Sequence, residues 1–129
     1  MNTDFKGKRS RTFRQAVFFA YNGIVRAFKS ERNFRFQLFA AFVVMTLAVL
    51  LSVSLLETVV LLLVIAVTLT LELINTAIEH VVDLVTTDEH PQAKAAKDIA
   101  AGAVLVFSIF AVIIGVLIFY EPVMTFFYK

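Results

Sequence analysis

Three stretches of this chain are long and apolar enough to cross a bilayer, and they leave few folds open. A hydrocarbon core about 30 Å thick takes ~20 helical residues. Residues 36–56 carry no charge and a single amide, Gln37. Residues 58–78 are apolar until Glu72 and Asn75, and residues 99–120 carry no charge at all. Only Glu57 separates the first two runs, which predicts a tight hairpin there. Composition agrees: 60% of the 129 residues are hydrophobic and 17% are charged. A soluble domain of this size has too much surface to hide that much apolar material. The length suits one domain spanning 1–129, and with no cysteine there is no thiolate site or disulfide framework. The expectation is an all-α integral membrane protein with three transmembrane helices.

Charge is distributed unevenly along the chain. Residues 1–35 hold nine basic side chains against Asp4 and Glu31, while the rest holds three basic and eight acidic ones. Because this basic third interleaves with Phe and precedes apolar runs, it suits an anionic membrane surface and not nucleic acid. Positive loops stay inside, so the segment from Arg26 to Arg35 places the start of the first span in the cytoplasm. Glu57 then lies outside, and the loop around residues 84–97 is cytoplasmic again. The expectation is a multi-pass protein with its loop chemistry facing the cytoplasm. Upstream, Phe13, Val17, Tyr21, Ile24 and Phe28 recur at helical spacing. Residues 12–30 therefore predict an amphipathic helix lying on the membrane surface. His90-Pro91 predicts a turn.

The most informative feature lies at the end of the second span. A carboxylate inside a membrane segment costs about 2.5–3.5 kcal/mol on insertion scales and marks function by default. Glu72, Thr76, Glu79 and Asp83 share an arc of about 60° on a helix, with Asn75 beside it. Leu73, Ile74, Ala77, Ile78 and Val81 form the opposite, apolar face. Glu72 lies about 10 Å deeper than Glu79. A carboxylate near the headgroups suits proton acceptance from a lipid alcohol, and one nearer water suits a divalent cation, which takes oxygen ligands. Pairing across helices, or snorkelling to water, is the plainer reading of any single acid.

Lys94, Lys97 and Asp98 arrive at the same side in the segment KAAKDIAAGA. Lysine offers an ammonium to phosphate oxygens, and the spacing also allows local pairing with Asp98. For Lys94 a plain positive-inside role is as good an account. The small residues Ala100, Ala101, Gly102 and Ala103 suit close packing against the acidic helix or a neighbouring subunit. Glu31, in KSERNFR, matters only if the surface helix brings it to Glu79. Acids, a divalent cation and lysines converging at the cytoplasmic boundary suit phosphoryl transfer from a Mg-nucleotide to a membrane-embedded hydroxyl, a reaction run by positioning and charge neutralisation. The chain has no GxxxxGK[ST] or GxGxxG loop and no HRD or DFG triplet. Any kinase here belongs to a class without that machinery.

The blocks ERNFR (31–35), ELINTAIEHVVD (72–83) and AKDIAAGAV (96–104) resemble the small prokaryotic integral-membrane lipid kinases, the diacylglycerol kinase and undecaprenol kinase family. The resemblance runs from about residue 13 onward. It implies that Glu72 is the general base for the lipid hydroxyl, and that Glu31 and Glu79 are metal-binding carboxylates for Mg2+ beside ATP. It places Asn75 in the active site, Lys97 and Asp98 on the nucleotide side, and Asp83 and His90 near the nucleotide. It also implies a homotrimer with composite sites, each chain with three spans and a surface helix. ERNFRF, Gln37 (where the proteobacterial branch carries a glutamate) and Ala101 (where serine is absent) look more like the Gram-positive branch. That branch is similar to undecaprenol kinases, with diacylglycerol as the alternative substrate. A small oligomeric transporter using Glu72 as a proton site is the competing class. It has no use for Glu31, Lys97 and Asp98 on the same side. A purely structural membrane subunit would leave the acids without purpose.

Overall fold

The computed structural model describes residues 12–86 and 88–128, which form four helices in sequence and no strand among the described residues. Helix α1, Phe13–Ser30, opens on a capping box. The Thr12 hydroxyl accepts from the Gln15 backbone N–H at 3.4 Å, and Gln15 Oε1 accepts from the Thr12 N–H at 3.1 Å. Two otherwise orphaned donors are thereby satisfied. The apolar stripe from Phe13 to Phe28 lies on the outside of the chain, and only Ala27 of this helix is buried. That is the arrangement of a helix whose apolar face meets something other than its own fold.

A single residue in extended conformation, Glu31, separates α1 from α2, Arg32–Leu50. Arg35 fixes the corner. Its Nη1 donates to the carbonyls of Phe28 and Lys29, both at 3.1 Å, so a cation satisfies the last turn of α1.

The first hydrophobic run is divided differently from the expectation of a span over 36–56. Helix α2 ends at Leu50, Ser52 turns the chain with φ 54°, and α3 begins at Leu55. Hydropathy does not distinguish Leu50 from Leu55, but hydrogen bonding does. Ser54 Oγ accepts from the Glu57 N–H at 3.3 Å, and Glu57 Oε2 accepts from the Ser54 N–H at 3.1 Å. Glu57 is thus the third residue of a capping box inside the first turn of α3, and the hairpin precedes it.

Helix α3, Leu55–Val85, has 31 residues, and α4, Pro91–Phe127, has 37. At 1.5 Å per residue they are about 46 and 55 Å long, well beyond a hydrocarbon core. His90 caps α4, its Nδ1 accepting from the Gln92 N–H at 3.2 Å, with Pro91 in the first turn where its missing N–H costs nothing. Helices α2, α3 and α4 are each long and apolar enough to cross a membrane. The chain is an all-α membrane protein with an amphipathic helix ahead of its three candidate spans.

Helix α3 is the centre of the fold, packed chiefly on α4, then on α2, and touched by α1. The buried apolar set is small: Ala27, Phe34, Ala48, Leu61 and Ala100. Large side chains such as Phe39, Phe42, Leu105 and Leu117 face outward. Of the small-residue run only Ala100 is buried, and a Cβ at Gly102 would meet nothing within 4 Å. Close packing within one chain is therefore confined to the start of that run.

Candidate active site

What the fold buries in place of a large apolar core is the acidic stripe. Glu72 is 3% exposed, Asn75 9% and Thr76 8%, all on the face of α3 that turns inward. Burial relaxes along the helix: Glu79 is half-buried and Asp83 exposed. One helix therefore carries its acids from a protein-enclosed position out to water, in the order their spacing predicted.

Partners along the stripe are specific. Asn75 Nδ2 donates to Glu79 Oε1 at 3.0 Å, one turn on, while Asn75 Oδ1 is buried without a partner. Gln37 Nε2, from α2, donates to Glu72 Oε2 at 3.0 Å. Glu31, at the corner between α1 and α2, takes the Ser30 hydroxyl on Oε1 at 2.9 Å. Glu31 and Glu79 both lie close enough for their charges to act on Glu72. Glu72, Asn75 and Glu79 form one group on α3, and Glu31 stands apart from it at the α1–α2 corner held by Arg35, near enough for its charge to be felt at Glu72.

Farther out, Lys97 Nζ reaches across from α4 to Asp83 Oδ1 at 2.5 Å. Asp83, His90 and Lys97, together with Lys94, line an open cavity of about 580 Å³ between the end of α3 and the start of α4. Asp98 is not part of that lining; it pairs with Lys94 at 2.7 Å along the exposed face of α4. The structure therefore brings Asp83, His90 and Lys97 together as a second group and sets Asp98 one turn aside.

Sequence reasoning missed Gln37 as a partner of Glu72. Its signal was present: it is the lone amide of an uncharged run. Among the described residues no three His, Cys, Asp or Glu side chains gather as a ready metal cage. Mg2+ is commonly held by one or two carboxylates plus substrate phosphates. Glu31 and Glu79, hard oxygen donors flanking Glu72, fit that demand.

Comparison with known proteins settles the family. Residues 18–119 match the profile of the family described as prokaryotic diacylglycerol kinase. The chain belongs to that family. It is an enzyme, a lipid kinase. It is 47% identical over 116 residues to an undecaprenol kinase of Bacillus subtilis (strain 168), covering 90% of this chain and 94% of that protein. It is 44% identical over 108 residues to a diacylglycerol kinase of Synechocystis sp., covering 83% of this chain and 62% of that longer protein. Against a diacylglycerol kinase of Helicobacter pylori (strain J99) it is 36% identical over 105 residues, 81% of this chain and 82% of the relative. The family match takes in both groups of site residues, including the buried stripe and the Lys97–Asp83 pair.

Proposed function

We propose that this kinase transfers the γ-phosphoryl group of ATP to the hydroxyl of a membrane lipid alcohol at the cytoplasmic face, with undecaprenol as the acceptor. The observation that carries the reading is Glu72: a carboxylate enclosed within the membrane segment of α3 and flanked by two further carboxylates. Glu72 takes the proton of the lipid hydroxyl. The hydroxyl oxygen then bonds to the γ-phosphorus as the bond to the β–γ bridging oxygen breaks, leaving ADP and a lipid phosphate monoester. Asn75 holds Glu79 and keeps it turned toward the stripe.

Glu31 and Glu79 would hold Mg2+, which neutralises charge on the phosphate oxygens when bound. Asp83, His90, Lys97 and, one turn away, Asp98 serve the nucleotide, with the Lys97 ammonium exchanging Asp83 for phosphate. Active-site side faces cytoplasm by the positive residues at the α1–α2 corner. The family resemblance points to a homotrimer in which neighbouring copies complete the site, while the outward-facing apolar side chains of α2, α3 and α4 suit lipid or helix contact alike.

Undecaprenol is preferred over diacylglycerol because the relative sharing 47% identity across nearly its whole length is named an undecaprenol kinase. The test offers undecaprenol and diacylglycerol separately to the purified protein in detergent with labelled ATP. Faster labelling of undecaprenol supports the assignment, faster labelling of diacylglycerol reverses the lipid, and labelling of neither removes both acceptors. A Mg-ATP analogue should also raise the melting temperature, since a ligand that binds the folded state stabilises it. A nucleotide-independent transporter shows no such shift.

A further inference from the structure

An apolar groove of about 510 Å³ runs between α2, α3 and α4, and its lining contains only three polar side chains: Gln37, Thr68 and Ser108. Two of these are spent on their own helices. Thr68 donates to the Val64 carbonyl at 2.7 Å and Ser108 to the Val104 carbonyl at 2.8 Å. Gln37 alone reaches out of its helix, and it reaches Glu72. The amide orientation follows from chemistry, because an ionised carboxylate only accepts hydrogen bonds and Gln37 must present its N–H. That choice leaves Gln37 Oε1 buried without a partner. An unpaired buried carbonyl costs stability, so an amide here is a poor device for holding the bundle together. An aliphatic side chain would suit the groove better.

We infer that Gln37 is a positioning residue for Glu72: its amide N–H fixes one carboxylate oxygen where the groove meets the acidic stripe, with the Asn33 side chain also beside the carboxylate, and so sets the direction from which Glu72 meets the substrate hydroxyl. The inference rests on the reading of Glu72 as the base. Misplacing a reacting group by about 1 Å costs on the order of a hundredfold in rate, so loss of this bond should appear in turnover and not in binding.

The decisive variant is Gln37→Met, which keeps length and volume, suits an apolar groove and removes the hydrogen bond. In the full-length protein in detergent, kcat for lipid phosphorylation should fall about tenfold to a hundredfold, with KM for lipid and for Mg-ATP unchanged and the protein still fully folded at the assay temperature, as a parallel melt checks. A merely structural Gln37 predicts the reverse, a shifted melting temperature with kcat retained, and that result overturns the inference. A second measurement needs no Gln37 variant: the side-chain amide NMR signal of Gln37 should move in Glu72→Ala and stay in Ser108→Ala. A signal indifferent to Glu72→Ala also overturns it. A wild-type enzyme that labels neither lipid sinks the proposed acceptor instead, whereas an active wild type matched by Gln37→Met sinks only the role of Gln37.

Discussion

Lys97 of α4 donates to Asp83 of α3 across a separation of 14 residues, closing the two longest helices over the cavity where the acidic stripe reaches water. Both side chains are substantially exposed, at 37% and 56%. An exposed pair of this kind contributes about 0–1 kcal/mol to stability. On the proposed function, its value lies in holding an ammonium at the mouth of the site, ready for a phosphate.

Removing that ammonium should therefore affect nucleotide use and leave the fold alone. Lys97→Ala is expected to raise KM for ATP by about tenfold or more, the loss of a charge-assisted contact worth ~1.5–3 kcal/mol. The melting temperature without nucleotide should stay within a few degrees of wild type. Steady-state kinetics with a parallel melt checks both halves.

Glu31 and Glu79 hang from different elements, the α1–α2 corner and α3, yet both act on the neighbourhood of Glu72. If each supplies an oxygen to Mg2+, Glu31→Gln and Glu79→Gln should each raise the Mg2+ concentration for half-maximal rate. The two together should abolish the response to Mg2+. Titration of initial rate against Mg2+ at fixed ATP gives the answer, and an unchanged midpoint in both single variants would remove these residues from the metal site.

Ser54 supplies a control outside the chemistry. Its capping box with Glu57 sets the start of α3 at the far end from the stripe. Ser54→Ala should cost about 1 kcal/mol of stability and lower the melting temperature, while kcat per folded molecule holds. A collapse of kcat without a fall in stability would link the hairpin to the site in a way this structure does not contain.

Much of the candidate site's layout was legible because helical geometry is local. Glu72, Thr76, Glu79 and Asp83 follow from spacing alone, and burial falling from Glu72 to Asp83 matches their depth along one helix. Contacts between helices were not legible. Lys97 sits next to Asp98 in sequence but pairs with Asp83, because the turn before Pro91 sets how α4 lies on α3. Asp98 finds Lys94 one helical turn back, a spacing that local rules do foresee. The end of α2 was obscured for another reason. Apolar residues continue through the hairpin, and only the serine-to-glutamate spacing of a capping box marks where α3 begins. Gln37 was visible as a lone amide, but its meaning required knowing that α2 lies against Glu72.

The most direct test of the account is Glu72→Gln, which keeps shape and removes only the ability to take a proton. Labelled-ATP transfer to lipid should fall by about a hundredfold to ten-thousandfold, the usual worth of a general base. Thermal protection by a Mg-ATP analogue should remain at the wild-type level. Normal turnover in Glu72→Gln would contradict the account, because the buried carboxylate at the head of the stripe would then not be the base.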